Sequence, residues 1–297
     1  MFKRDLEGKR ALVAGIGDHR GFGFAIAREL AAAGASVCAA TWPPAFGSFN
    51  TMLERGDYDD ARVLPDGSLF KFERVFPLDA RFDSMKDVPE DVRSNRRYRG
   101  FERFTIEDLA TGLTADYGPK SLDIVVHCIA NGPEVLQPLL ETSREGYLEA
   151  VSTSSYSFVS MARQLGPHLR DDASFLCMSY IASQRTVPGY GGGMSSAKAA
   201  LESDTHVLAY ELGRKYGARV NCISASPWPS RAADAIGGAM TIMANFVAQS
   251  APIQRAITPE DVGHAAVFLS SSKARAITGS TMYVDYGSHT IAYGSPG

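Results

Sequence analysis

Short apolar runs alternate with segments whose apolar positions recur at helical spacing along the whole chain. The apolar runs lie at 10–15, 35–41, 72–76, 122–127, 174–178, 219–224 and 281–284, and each reads as a strand. Helical patterns occupy 24–33 and then segments near 103–117, 144–168, 194–217, 232–249 and 259–270. Strands that are apolar throughout and alternate with helices predict a parallel sheet covered on both faces. The expected fold is therefore α/β, a single doubly wound Rossmann-like domain over residues 1–297 with a seven-stranded parallel sheet. No stretch rich in Pro, Gly or Ser divides it. Residues 43–104 interrupt the rhythm: Trp42-Pro-Pro-Ala opens the insertion, Leu64-Pro-Asp-Gly67 is a turn signal, and polar loop sequence follows. The insertion is either solvated decoration or a wall over one end of a ligand crevice, and its composition does not separate the two.

Composition changes this picture mainly by exclusion. With 45% hydrophobic and 21% charged residues the chain is an ordinary globular sequence. A formal net charge of -3 gives no polybasic footprint for nucleic acid or an anionic membrane. No apolar run reaches membrane-spanning length, and the first residues lack a secretory signal pattern. Cys38, Cys128, Cys177 and Cys222 have neither zinc nor disulfide spacing and read as reduced core residues. The six histidines are scattered, so no metal site is expected; His127, at an apolar strand end, reads as a satisfied core histidine.

Chemistry concentrates at two places. Gly15-Ile-Gly17-Asp-His-Arg-Gly21-Phe-Gly23 follows the first strand and opens the first helix. Gly15 would allow a sharp turn off the strand, while Gly21 and Gly23 would let backbone approach a pyrophosphate held by helix N-terminal N–H groups. The spacing is wider than the GxGxxG fingerprint and matches that of short-chain dehydrogenases. The second strand ends in Thr41-Trp42, with neither the carboxylate that takes ribose hydroxyls nor a cation for a 2′-phosphate. An indole there can stack on adenine. NADH is the expected cofactor and NADPH the less favoured one, with His19 and Arg20 as possible positive charge. Asp79-Ala80, past the third strand, is placed to read the adenine edge through a carboxylate and an N–H; a surface loop aspartate is the competing reading.

The second place runs from Ser179-Tyr180 through Pro188-Gly-Tyr190-Gly-Gly-Gly to Lys198. A phenol that can give a proton, and a cation that can hold a ribose and lower the phenol's pKa, are the minimum set for nicotinamide reduction chemistry. The segment Pro188–Asp204, with His127-Cys-Ile-Ala-Asn-Gly-Pro-Glu134 and Leu139-Leu-Glu-Thr-Ser-Arg144, closely resembles the enoyl-acyl carrier protein reductases, in the form found in plants, apicomplexan parasites and chlamydiae. The resemblance extends from about Leu6 to Ile291 and implies NADH-dependent reduction of a trans-2-enoyl thioester on acyl carrier protein, in type II fatty-acid synthesis. It implies Tyr180, Tyr190 and Lys198 as catalytic residues. Gly132, Tyr180 and Tyr190 would meet substrate. Gly15, Gly21, Phe22, Trp42, Asp79, Ala80, Ile129, Ala130, Lys198, Pro227, Trp228, Ser230 and Ala232 would line the cofactor. It also implies a homotetramer packed through helices 144–168 and 194–217, in bacterial cytoplasm or plastid stroma.

Spacing carries the discrimination from carbonyl-reducing short-chain dehydrogenases, which place Tyr and Lys one helical turn apart as Tyr-x-x-x-Lys. Here the run Gly191-Gly-Gly193 makes a regular helix between Tyr190 and Lys198 improbable, so Tyr190 is expected on a loop ahead of the helix. Val151-Ser-Thr-Ser-Ser-Tyr also lacks the asparagine of their proton relay. A 3-oxoacyl or other carbonyl reductase, and a non-catalytic dinucleotide-binding protein, remain the alternative readings. Two departures from the family stand out: Ser226-Pro227-Trp228 replaces Gly-Pro-Leu, and Gly237-Gly-Ala replaces Gly-Phe-Ile in a lid expected over about 230–250. Phe22 stands where relatives carry tyrosine. Arg231, Arg255, Lys273 and Arg275 are candidate contacts for an acidic carrier protein.

Overall fold

Seven strands form one parallel sheet in the order β3-β2-β1-β4-β5-β6-β7. They are β1 Arg10–Ala14, β2 Ser36–Thr41, β3 Arg74–Pro77, β4 Leu122–His127, β5 Leu169–Ser179, β6 Arg219–Ala225 and β7 Thr281–Val284. The computed structural model describes residues 5–230 and 239–292, with the side chains of Ala239 and Met240 left aside. The main helices are α1 Phe22–Ala32, α2 Pro43–Arg55, α3 Ile106–Tyr117, α4 Arg144–Val151, α5 Ser157–Leu165, α6 Met194–Tyr216, α7 Ala239–Ser250 and α8 Pro259–Ser270. The fold is the doubly wound, Rossmann-like architecture that the alternation predicts.

Each central strand is buried on both faces, and the alternation within it assigns side chains to two cores. Val13, Ile124, Val126 and Ile223 join Phe24, Leu30, Val262 and Val267 in one layer. Leu12, Val125, Phe175 and Val220 join Leu109, Phe158, Leu201 and Leu212 in the other. Because β1 pairs with both β2 and β4, the strand order reverses there. A crevice opens beyond the carboxyl ends of the strands at such a reversal, and ligands collect in it.

The structure departs from the sequence reading in two elements. The stretch after Trp42 is not irregular: Pro43 and Pro44 occupy the first helical turn of α2, where a missing N–H costs nothing and the fixed φ suits the helix. Reading Pro-Pro only as a breaker missed this. The insertion also carries a small core of Val88, Tyr98 and Phe104. The helix expected over 144–168 is interrupted by one π turn, Ser152–Tyr156, between α4 and α5. Of the segment expected to form a lid over about 230–250, the described part is helix α7 from Ala239 onward; Arg231, Ala232 and Gly237-Gly238 lie outside the described residues.

Candidate active site

Gly15 ends β1 with φ +99°, and a Cβ there would stand 2.4 Å from the carbonyl oxygen of Cys128. Only glycine fits that approach, which brings the loop after β1 against the loop after β4. Gly21 is the residue before α1, and a Cβ on it would meet nothing within 4 Å, so space lies open at the helix N-terminus. Gly23 serves a different purpose from the one expected. A Cβ would press on Ile16 at 3.2 Å and Cys128 at 3.4 Å, so Gly23 permits close packing of α1 rather than approach to a phosphate. Phe22, the first residue of α1, packs partly against the core.

At the end expected to meet adenine, the expectation of a carboxylate free to read a base is replaced by an occupied one. Asp79 is 3% exposed, which also rules out a surface aspartate. Its Oδ2 accepts from Tyr98 Oη at 2.6 Å, Arg81 Nη2 at 2.8 Å and Trp42 Nε1 at 3.4 Å. Its Oδ1 accepts from Arg81 Nε at 3.1 Å and from the Arg81 N–H at 3.2 Å. Burial opposes the charge, yet the Arg81 and Tyr98 hydrogen bonds hold the carboxyl below its usual range. Burial and the bond to Asp79 push the Tyr98 phenol up to about 12, so it stays a donor. The Trp42 indole N–H is also shared with Tyr98 Oη at 3.0 Å, and the Arg97 guanidinium lies 4.8 Å above the indole ring. Insertion residues Arg81, Arg97 and Tyr98 thus orient the indole, and sequence reasoning named none of them. They lie far from Trp42 in the chain, and no motif joins them.

At the reacting end, Tyr190 sits on a loop ahead of α6, which begins only at Met194. The glycine run explains how that loop is held. Gly191 N–H donates to the Val135 carbonyl at 2.9 Å and Gly192 N–H to the Gln137 carbonyl at 3.0 Å. Gly192 and Gly193 have φ of +59° and +80°, and a Cβ on Gly191 would stand 1.9 Å from the Gln137 oxygen. The run is therefore more than a helix breaker: it is a seat on which loop 134–137 docks. Glu134 fixes that loop in turn, accepting from the Ser143 N–H at 2.7 Å and Ser143 Oγ at 2.6 Å, at the start of α4.

Tyr180, at the end of β5, meets Tyr190 edge to face with ring centroids 5.1 Å apart. Burial raises both phenols, Tyr180 to about 12 and Tyr190 further with the help of its neighbour. The lysine was expected to lower the phenol's pKa; burial instead keeps both hydroxyls protonated and able to donate. Lys198 is 5% exposed, and its Nζ donates to the Met178 carbonyl at 2.8 Å. Burial lowers its pKa. The nearest acidic side chain on α6, Glu202, is engaged by Ser179, Ser183 and Gln184. A buried ammonium with one carbonyl partner has donors to spare, which suits ribose hydroxyls. Together with the open space at Gly21, this set of groups fits a nicotinamide dinucleotide.

Loop 129–132 closes the middle of the site. Ile129 is half-buried and Ala130 exposed, both past the end of β4. The π turn places Ser154 Oγ between the Asn131 N–H and carbonyl, each at 2.9 Å. Ser154, in the stretch without the relay asparagine, is thus a loop anchor that the sequence reading missed; π turns often mark such sites. Gly132 lies against Met194, whose sulfur a Cβ would meet at 2.7 Å. His127, expected to be satisfied, is only half so: its Nε2 pairs with Ser157 Oγ at 2.7 Å, and Nδ1 has no partner among the described residues. After β6, Pro227 is buried, while Trp228 and Ser230 are half-buried beside the glycine loop.

A doubly wound sheet, a glycine turn after β1, a buried lysine and a pair of packed phenols define a class, the dinucleotide-dependent oxidoreductases. A family model described as "Enoyl-(Acyl carrier protein) reductase" matches residues 102–289. The chain is 55% identical over 294 residues to the chloroplastic enoyl-acyl-carrier-protein reductase (NADH) of Arabidopsis thaliana, covering 98% of this chain and 75% of that one. Among solved structures, enoyl-acyl-carrier-protein reductase from Plasmodium berghei, crystallised with triclosan, superposes with a TM-score of 0.93 at 42% identity, covering 98% of this chain and 100% of that one. An Anaplasma phagocytophilum reductase in complex with NAD gives 0.77 at 26% identity, over 99% and 96% of the two chains. The chain belongs to the enoyl-acyl carrier protein reductase family.

Proposed function

We infer that this chain catalyses NADH-dependent reduction of trans-2-enoyl-acyl carrier protein to the saturated acyl form, the reductive step that closes each elongation cycle of fatty-acid synthesis. The observation that carries the reading is the position of the acid. A carbonyl reductase needs its phenol one turn before the lysine on the same helix, and here that position is Met194, a buried thioether. The available phenol, Tyr190, stands off the helix on the glycine seat.

NADH, when bound, supplies the hydride that reaches the β-carbon of the conjugated thioester. The residues of this chain handle the charge that results. As the β-carbon is reduced, negative charge moves to the thioester oxygen, and Tyr190 donates a hydrogen bond that strengthens as the enolate forms; a proton from solvent then adds at the α-carbon and restores the thioester C=O of the saturated product. A protonated phenol is what this role requires, so the upward shift of Tyr190 fits it. Lys198 holds the ribose hydroxyls and adds a positive field in a site that excludes water. Tyr180 packs against Tyr190 and narrows its orientations. Trp42 and the Ala80 N–H face adenine, Gly15, Gly21 and Phe22 flank the pyrophosphate, and Ile129, Ala130, Pro227, Trp228, Ser230 and Ala232 complete the cofactor wall. Gly132 borders the acyl path.

We read residues 1–297 as one catalytic unit assembled as a homotetramer. Leu148, Tyr156, Val207 and Tyr210 are large apolar side chains that α4, the π turn and α6 leave exposed, as subunit packing would require. Lys273 is paired with Asp5, which leaves the exposed Arg255 and Arg275 as the described candidate cations for an acidic carrier protein. The plant relatives are chloroplastic by name, and we place this chain in plastid stroma or bacterial cytoplasm. Among the described residues no helix is long and apolar enough to cross a membrane.

Parallel steady-state assays with crotonyl and acetoacetyl thioesters, using NADH and then NADPH, test the reading. Enoyl turnover with NADH should dominate, and Tyr190→Phe should lower it by about 100-fold or more. Faster turnover of the ketone would overturn the assignment.

A further inference from the structure

Trp228 makes a connection through its indole N–H. Its indole Nε1 donates to the carbonyl of Arg20 at 2.9 Å, and the guanidinium Nη2 of Arg20 donates to the carbonyl of Pro229 at 3.0 Å. The two bonds are reciprocal and join the glycine loop after β1 to the segment after β6. Arg20 is exposed and Trp228 half-buried.

The sheet order gives this link its meaning. β4 and β5 lie between β1 and β6. At a strand spacing of about 4.8 Å, the ends of β1 and β6 are roughly 14 Å apart. A bridge between the loops that follow them spans the interval that β4 and β5 fill in the sheet. There Ile129, Ala130 and Tyr180 line the crevice in which a dinucleotide lies in this fold.

We propose that Arg20 and Trp228 form a strap across the cofactor crevice, one that must open for the dinucleotide to enter or leave and that slows its exchange in this chain. The proposal rests on the NADH-dependent reading of the site. A strap differs from an ordinary ligand contact in its kinetics. Removing a contact speeds release alone, whereas removing a barrier speeds entry and release together.

Stopped-flow fluorescence of NADH binding to the full chain tests this, in the parent and in Trp228→Phe, Trp228→Leu and Arg20→Gln. Trp228→Phe keeps an aromatic ring but deletes the N–H. Losing one of the bridge's two hydrogen bonds should raise both the association and the dissociation rate by about fivefold, and in Arg20→Gln Kd should stay within about threefold. A rise in dissociation alone in Trp228→Phe would make Trp228 a simple contact and overturn the strap. Unchanged rates in both Trp228→Phe and Arg20→Gln would do the same. If the parent chain binds no NADH, the cofactor reading falls and the strap with it, an outcome distinct from normal binding with unmoved rates.

Discussion

At the reacting end of the crevice the backbone does the positioning: Gly191 and Gly192 dock their N–H groups on loop 134–137, and Tyr190 rides on that seat. At the adenine end side chains do it: Asp79 gathers Arg81, Tyr98 and Trp42 onto one carboxylate. The first arrangement tolerates little change, because a single Cβ on Gly191 meets backbone rather than the end of a side chain. The second is a network of separable parts, each removable without a collision. A backbone seat suits the end where a proton donor must be placed to a fraction of an ångström, and a side-chain network suits the end where a flat ring is gripped.

The harshest break in that comparison is Gly191→Ala. Its Cβ would overlap the Gln137 oxygen, which stands at 1.9 Å, so loop 134–137 or the Tyr190 loop must move. Stability should fall by roughly 1–3 kcal/mol, and displacement of the phenol should lower kcat by about 100-fold. Urea unfolding and steady-state turnover measure the two. Wild-type turnover in this variant would mean that the seat does not set the position of Tyr190.

Legibility in the sequence follows the same division. Tyr190, Lys198 and the glycines between them sit within one short stretch, so their spacing alone placed the phenol ahead of the helix. β4, β7 and α8 fall where the apolar pattern put them, since buried strands and a capped amphipathic helix leave strong local signals. The adenine end was opaque. Nothing local ties Asp79 to Tyr98 or Trp42, and the insertion hid α2 behind a Pro-Pro that reads equally as loop or first turn. The role of Gly23 was misread for a similar reason: packing against Cys128 depends on a strand about a hundred residues away. Local chemistry was visible, and long-range partnership was not.

A gentler cut falls on the network. Asp79→Asn leaves Arg81 without its counter-charge but adds no atoms, so the surrounding backbone should stay in place. Orientation of the Trp42 indole should loosen, and the KM for NADH should rise by about tenfold with kcat held within about twofold. Tyr98→Phe should follow in the same direction with a smaller change, since it deletes one of several donors. A fall in kcat with an unchanged KM would show that the network acts on the chemistry, and the division between the two ends would no longer hold.

Acid titration separates the two ends without touching the chemistry. Asp79 has a carboxyl held below 3.8 by Arg81 and Tyr98. An acid with a lowered folded pKa contributes stability above its unfolded value and loses it as pH falls below about 4. His127, under the reacting end, behaves differently. Ser157 Oγ donates to the Thr153 carbonyl at 2.7 Å, so His127 Nε2 is the donor to Ser157. Burial, helped by Lys198, lowers its pKa from 6.5 to about 3. The unfolded chain therefore binds the proton first, and stability declines as pH drops from 6.5 towards 3. At pH 5 the loss is on the order of 1–2 kcal/mol. His168, half-buried with a pKa lowered by burial, adds a smaller share. Urea midpoints measured between pH 7 and 5 should fall in the parent and in Asp79→Asn alike, and most of that slope should vanish in His127→Phe. A full acid slope in His127→Phe would place the mild-acid sensitivity elsewhere and remove this distinction between the ends.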